Sequence, residues 1–180
     1  HDNEEASAGY YRVVLDDPAI QIELTASPNS ALHRYTFPPG LSENTVVLDL
    51  GHHLPDGEVL SSSLELDTST GEYTGHLESD GGLGGPFDAW FRLGFDAQPS
   101  AWGVWADGTA TSLPVEGIDT GAWFTFDEEV VQARMRVSLV GPPPTLSDEA
   151  ELAPYDFEAN LAAVQAAWRS SLAPIQVWGG

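Results

Sequence analysis

The sequence contains no cysteine and no lysine among its 180 residues. Without cysteine, the chain can form neither disulfides nor cysteine-ligated zinc sites, and it has no thiol nucleophile. All six basic residues are arginines, set against 28 acidic residues, so the formal net charge is −22. A chain this acidic lacks the basic surface that neutralises phosphates, which excludes nucleic acid and disfavours anionic membranes as partners.

The sequence also lacks an apolar run long enough to cross a bilayer, and no leader peptide is recognisable. Hydrophobic residues still make up 42% of the chain, with six Trp, five Tyr and seven Phe, which is typical of one packed globular domain. The chain begins at His1 rather than Met, and we expect that an upstream segment has been removed. The scattered acidic residues indicate a solvated surface, which fits a secreted protein or one from a salty environment. We expect an extracellular or periplasmic location.

Alternation of apolar and polar residues dominates the chain up to residue 140. Ile20, Ile22 and Leu24 alternate with polar residues, which is typical of a half-buried strand. Strands are predicted at 10–15, 20–26, 31–37, 45–50, 63–68, 72–78, 87–95, 101–106, 109–115, 121–126 and 130–140. Because these strands are short and closely spaced, and are joined by turns such as Asp107-Gly108, they predict an antiparallel β-sandwich over residues 1–140.

The pattern changes over residues 141–180, which begin with a proline-rich turn. Ser147 is predicted to cap a short helix over 148–152, and Asp156 to cap a longer helix over 157–172. The longer helix carries an apolar stripe at helical spacing, made of Phe157, Leu161, Val164, Trp168 and Leu172. This stripe either packs back on the sandwich or connects to a further domain.

Sequence signals for metal binding or nucleophilic catalysis are weak. His52 and His53 are adjacent, and neighbouring residues on a strand point to opposite faces, so they do not readily bind one metal. The acidic turns at 16–17 and 127–129 lack the alternating spacing of a calcium loop. Neither a GxSxG nor an HExxH motif is present. We therefore assign no catalytic residue and no metal ligand to this chain.

Four tryptophans lie in predicted strands, at Trp90, Trp102, Trp105 and Trp123. A tryptophan on an exposed sheet face can stack on a sugar ring, whereas one between two sheets is part of the core. Because core tryptophans are the more common kind in a sandwich, these four are predicted to be buried.

Several motifs, taken in order, resemble glycoside hydrolase family 92, whose members are mostly exo-acting α-mannosidases. The motifs are HDNE at 1–4, GYY at 9–11, ELTAS at 23–27, HRYTFP at 33–38, TVVLDL at 45–50, AWGVW at 101–105, RMRVSLV at 134–140 and the helical segment at 156–177. The resemblance covers nearly the whole chain and is weakest over 52–86. Ala8 stands where the family has a proline.

The resemblance implies that this chain is the N-terminal sandwich, of the supersandwich type, of a larger inverting α-mannosidase, with an α-helical linker at its C-terminal end. The family's calcium ion and its acid and base carboxylates lie largely in a C-terminal (α/α)6 barrel, which residues 141–180 are expected to approach. We therefore expect a module that is truncated at both ends, holds no cofactor of its own and is inactive by itself.

The family's sandwich helps to form the mannose pocket, so the resemblance implies candidate residues for sugar contact. These residues are His1, Asn3, Glu4, His33 and Arg34. Alternation along the strand places His33 and Arg34 on opposite faces. Two other functions remain open, namely a stand-alone carbohydrate-binding sandwich and a structural module that associates with itself.

Overall fold

The computed structural model describes residues 3–53, 56–81, 85–148 and 151–174. In these residues the elements are β1 Glu4–Ser7, β2 Tyr10–Val14, β3 Gln21–Ala26, β4 Ser30–Thr36, β5 Asn44–Asp49, β6 Gly57–Asp67, β7 Glu72–Gly81, β8 Phe87–Phe95, β9 Ala101–Ala106, β10 Thr109–Thr111, β11 Val115–Gly117, β12 Thr120–Phe126, β13 Val130–Ser138, a 3-10 turn at Leu146–Asp148 and α1 Phe157–Leu172. No helix within the described ranges is both long and apolar enough to span a membrane.

The strands form two sheets, and every pairing is antiparallel. The large sheet has nine strands in the order β1-β2-β3-β4-β13-β8-β7-β6-β11, and the small sheet has four in the order β10-β9-β12-β5. The predicted fold class, a mainly β antiparallel sandwich with a C-terminal helix, is confirmed.

The main core lies between the two sheets, on what we call the inner face of the large sheet. Leu93 and Val131 from the large sheet meet Phe124 from the small sheet, and all three are buried. Tyr73 and Phe95 pack on the Phe124 ring, with ring centroids 4.7 Å and 4.9 Å away. Aromatic pairs at this separation add stability beyond the area they bury, so Phe124 joins the two sheets.

A second core lies on the opposite, outer face of the large sheet. Leu32 on β4 packs with Leu152 of the linker and with Phe157 and Val164 of α1, and all four are buried. The first half of the predicted apolar stripe therefore packs back on the sandwich. The helix contacts mainly β3 and β4, so it covers only one end of the outer face.

Two predicted elements differ from the structure. A 3-10 turn, Leu146–Asp148, lies where the predicted helix over 148–152 was expected to begin, and residues 149–150 of that helix lie outside the described part of the chain. The buried backbone N–H of Leu146 donates to Oε1 of Glu72 at 2.9 Å, which anchors the turn to the sheet. The predicted strand 109–115 is two strands, because the chain crosses from the small sheet to the large one before Val115.

The prediction that four tryptophans are buried in the core is also wrong. Trp102 and Trp123 are 43% and 39% exposed, and Trp90 and Trp105 are half-buried. The inner core is filled instead by smaller aromatic and aliphatic residues, so these tryptophans lie at its margins or on outer sheet faces.

Candidate functional site: the helix-covered face of the large sheet

Helix α1 begins at a side-chain cap and is fastened to the linker that precedes it. The N–H of Ala159 donates to Oδ1 of Asp156 at 3.0 Å, which confirms the predicted cap. Asn160 is buried, and its amide accepts from the Ala153 N–H at 2.7 Å and donates to the Ala153 carbonyl at 2.8 Å. These bonds satisfy backbone groups that the helix would otherwise bury without partners.

Arg34 joins two strands of the sheet to the helix. Its Nε and Nη2 donate to the two carboxylate oxygens of Glu23 on β3, at 2.7 Å and 2.8 Å. Its Nη1 donates to Glu158 on α1 at 2.9 Å. The guanidinium carbon lies 4.2 Å from the centre of the Phe157 ring. A two-point carboxylate contact combined with an aromatic face uses the particular geometry of arginine, so we call these residues the Arg34 clamp.

Burial and hydrogen bonding fix the charges in the Arg34 clamp. The hydrogen bonds from Arg34 hold the pKa of the Glu23 carboxyl below its usual range, although burial acts to raise it. The Tyr10 hydroxyl also donates to Glu23, at 3.0 Å. Burial, and then this bond to Glu23, raise the pKa of Tyr10 to about 12. Near neutral pH the carboxylate is therefore ionised and the phenol is neutral.

His33 lies on the other side of the same strand, between the two sheets. Its Nδ1 is 3.0 Å from the Tyr35 hydroxyl. It lines a cavity of about 110 Å³ together with apolar residues that include Phe124 and Met135. Burial lowers the pKa of His33, so the imidazole is neutral near neutral pH. The prediction that His33 and Arg34 face opposite sides of the sheet is confirmed.

Two of the other predicted residues lie at the first strand, with Asn3 directly before it and Glu4 as its first residue. Asn3 Nδ2 donates to Asp16 at 2.6 Å, and Glu4 accepts from the Tyr11 hydroxyl at 2.9 Å. Both residues are exposed at the edge of the large sheet. His1 lies outside the described residues.

Strand pairing shows which of the predicted residues share a face. Glu4 pairs with Val13, which pairs with Ile22, which pairs with Tyr35. Residues in one cross-strand row point to the same side, and so do alternate residues of a strand. Glu4 is therefore on the same face as His33, whereas Arg34 is on the opposite face. The four predicted sugar-contacting residues that the structure describes do not lie together in one site, and the role of all five stays a prediction.

The second half of α1 leaves large apolar side chains exposed. Trp168 and Leu172 are 47% and 50% exposed. Two shallow grooves, of about 470 Å³ and 490 Å³, meet at Trp168. One is lined by Ser7, Ala8, Gln165, Arg169, Leu172 and Ala173, and the other by Ala26, Ser27, Pro28, Glu151, Ala163, Val164, Ala167 and Ser171. We call Trp168, Leu172 and these grooves the helix-end surface.

The described residues contain no cluster of acidic and histidine side chains that could hold a metal ion. Within those ranges, no three His, Asp or Glu side chains lie close enough together. The resemblance led us to expect calcium in the full enzyme and not in this chain, and that expectation stays a prediction.

The geometry is that of an antiparallel sandwich module with an appended helix, and comparison with known proteins places it in a family. Residues 1–139 match the model of the glycosyl hydrolase family 92 N-terminal domain. The chain belongs to this family, as the ordered motifs predicted. A comparison with curated proteins finds no match.

Solved structures with the same fold include two mannosidases from Bacteroides thetaiotaomicron. A family GH92 alpha-mannosidase superposes with a TM-score of 0.88 at 23% identity, over 100% of this chain and 25% of that chain. A family GH92 inverting mannosidase superposes with a TM-score of 0.81 at 21% identity, over 100% of this chain and 24% of that chain. The chain thus spans about a quarter of the length of these mannosidases.

Proposed function

We propose that this chain is the N-terminal, non-catalytic module of a calcium-dependent inverting α-mannosidase that acts on mannose-containing glycans. The family membership and the quarter share of the length of solved mannosidases support this proposal. We also propose an extracellular or periplasmic location, with which the acidic, cysteine-free composition is compatible.

Inverting hydrolysis uses one carboxylic acid to protonate the leaving oxygen and a second carboxylate to activate water on the opposite side of the sugar. We assign both carboxylates, and calcium, to an (α/α)6 barrel outside this chain. The role left to the sandwich is to support the barrel and to line part of the sugar pocket. Asn3 and Glu4 are the better placed for that contact, because both are exposed, whereas His33 is largely buried and Arg34 is engaged in its clamp.

The main observation in favour of a role in supporting the barrel is the exposed helix-end surface. The Arg34 clamp and the packing of Phe157 and Val164 on Leu32 hold the start of α1 against the sheet, so Trp168 and Leu172 are presented at a fixed position. Fully burying one such side chain contributes about 1.5–3 kcal/mol, so covering two that are already half-buried contributes roughly 2–3 kcal/mol. Exposed apolar surface of this kind marks an interaction site, and we assign it to the barrel.

The first test is an activity assay. The 180-residue chain, incubated with calcium and an aryl α-mannoside, is expected to show no turnover. Robust turnover would mean that the catalytic carboxylates are present after all, and it would refute the non-catalytic role. The proposed full-length enzyme, assayed under the same conditions, serves as the positive control.

The second test addresses docking at the helix-end surface. In the full-length enzyme, Trp168→Ala is expected to lower the melting temperature by about 1 °C (roughly 1–2 kcal/mol) because it removes interdomain contact. Trp123→Ala, at a similarly exposed tryptophan on the small sheet, is the matched control and should have little effect. Equal effects of the two substitutions would contradict the docking role. A dimer of the 180-residue chain that Trp168→Ala abolishes would favour self-association instead.

A further inference from the structure

The outer face of the large sheet is covered by α1 at one end only, and a groove lies open at the other end. Cross-strand pairing aligns Glu116, Ser63, His76 and Trp90 in one row across β11, β6, β7 and β8. The next row, two residues along each strand, contains Glu65, Thr74 and Arg92. These two rows line a cavity of about 250 Å³, which we call the His76–Trp90 groove.

The groove has a simple structural cause. Ser63 and Thr74 are small and lie in the middle of the two rows, while Trp90 and Arg92 form a taller wall on β8. Pro114 borders the groove on the β11 side, and Pro142 and Pro143 border it beyond β8, where the chain leaves β13. A flat, solvated sheet face would not form such a depression, because side chains of similar size would stand along both rows.

One wall of the groove is aromatic and held in place. The rings of His76 and Trp90 lie 4.9 Å apart between centroids, with 34° between their planes. Nε2 of His76 is 2.7 Å from Oδ1 of Asp88, which fixes the imidazole. Trp90 is half-buried, although its neighbours in both rows are polar. An aromatic ring among polar groups presents the combination of surfaces that a sugar ring requires, since sugars have apolar C–H faces and polar edges.

The polar groups of the groove are suited to hydroxyl groups. Arg92 is oriented by bonds to Glu72 at 3.0 Å, Asp67 at 3.2 Å and the Pro143 carbonyl at 3.0 Å. Glu65 accepts from the Thr74 hydroxyl at 3.1 Å and is otherwise exposed. Carboxylates accept hydrogen bonds from hydroxyl groups, and a guanidinium donates hydrogen bonds to hydroxyl oxygens.

The charge of the groove excludes anionic ligands. Glu65 and Glu116 carry negative charge at the surface of the groove, and the charge of Arg92 is already balanced by Glu72 and Asp67. A phosphate or an acidic glycan would therefore be repelled. A neutral ligand that offers several hydroxyls avoids this repulsion and supplies donors to both exposed carboxylates.

We propose that the His76–Trp90 groove binds one ring of a neutral carbohydrate, with a C–H face of the sugar against Trp90 and its hydroxyls toward Glu65, Glu116 and Arg92. The shape, aromatic wall and charge of the groove support this assignment without reference to the proposed function. Only the choice of a mannoside as the first probe rests on the proposed function.

The experiment is an NMR titration of the ¹⁵N-labelled 180-residue chain with methyl α-mannoside, methyl α-glucoside and methyl β-galactoside. We expect saturable shifts at groove residues with at least one of the three. Trp90→Ala should weaken that affinity about tenfold, which corresponds to about 1.4 kcal/mol. Trp123→Ala, which removes a partly exposed tryptophan on the small sheet, should leave the affinity unchanged.

A second variant keeps the test decisive if Trp90→Ala disturbs the fold. Glu65→Gln removes a charge from an exposed side chain and should reduce the affinity several-fold without affecting unfolding. The absence of saturable shifts with all three glycosides would overturn the proposal, and so would equal effects of Trp90→Ala and Trp123→Ala. If the groove binds one of the other two glycosides but not the mannoside, the groove assignment stands, and the proposed function is tested separately by the activity assay.

Discussion

Replacing Arg34 with alanine should destabilise the fold by about 3–5 kcal/mol, because it leaves the buried carboxylate of Glu23 without its cation. The side chain of Glu23 is only 8% exposed, so water cannot replace the lost partner. Tyr10 and Gln21 still donate to the carboxylate, which favours the lower end of this range. Loss of the guanidinium over the Phe157 ring, at 4.2 Å, adds roughly 0.5–1 kcal/mol.

The assay is urea unfolding of the 180-residue chain near neutral pH. Amide hydrogen exchange then shows which part of the structure has lost stability. The amides in the first turns of α1 should exchange faster in Arg34→Ala, because the helix loses its contacts with Arg34 at Glu158 and at the Phe157 ring, while its apolar contacts with Leu32 remain. Glu158→Gln is the matched control, since it removes the other carboxylate bound by Arg34. That carboxylate is 72% exposed, and an exposed pair contributes about 0–1 kcal/mol.

Comparing the loss in free energy of unfolding between Arg34→Ala and Glu158→Gln tests whether the Arg34 clamp holds the helix. If Arg34→Ala costs no more than Glu158→Gln, the Arg34 clamp does not hold the helix. A variant with both Arg34→Met and Glu23→Gln should recover much of the lost stability, because it removes the buried charge together with its partner. Failure to recover would contradict the assignment of the lost stability to an unpaired buried charge at Glu23.

Two further predictions concern buried positions. Because burial holds the pKa of His33 below its unfolded value of about 6.5, the native state resists protonation, so stability should fall as the pH drops below about 6.5. His33→Gln should flatten this dependence in urea midpoints measured from about pH 7 to 5, and an unchanged slope would contradict the assignment. Gly9→Ala should lower the melting temperature more than Gly40→Ala. Both glycines have φ near +80°, but a Cβ at residue 9 would lie 2.6 Å from Val164, whereas residue 40 has open space.

The strand pattern was predictable because burial of one face imposes a period of two on the sequence. The predicted bounds of β8, β9 and α1 match the structure. Strand β1, Glu4–Ser7, was not predicted, because all four of its residues are exposed and leave no apolar alternation. Burial on the outer face was not predictable either. Alternation along the strands predicts that Arg134 and Glu23 are exposed. They are buried because the linker and α1 fold back over the outer face.

Part of the Arg34 clamp could have been found from sequence. The predicted strands 20–26 and 31–37 are joined by a short turn, and antiparallel pairing across it places Ala26 opposite Ala31 and Glu23 opposite Arg34. An acidic and a basic residue paired in this way indicate a salt bridge. The contact with Glu158 could not have been found, because it depends on how a segment more than a hundred residues away folds back. The His76–Trp90 groove likewise depends on the order of strands that are distant in sequence.

The attachment of α1 has a mechanical consequence. A helix of 16 residues is about 24 Å long, and one end of it is fixed to the sheet by the buried contacts of Phe157 and Val164 with Leu32 and by the Arg34 clamp. The helix is therefore a rigid extension of the sheet and not a flexible connection. Any displacement imposed at Trp168 reaches the strand that carries Arg34 on one side and His33 on the other. A force applied to the exposed end of α1 is thus expected to affect the packing between the two sheets, through β4.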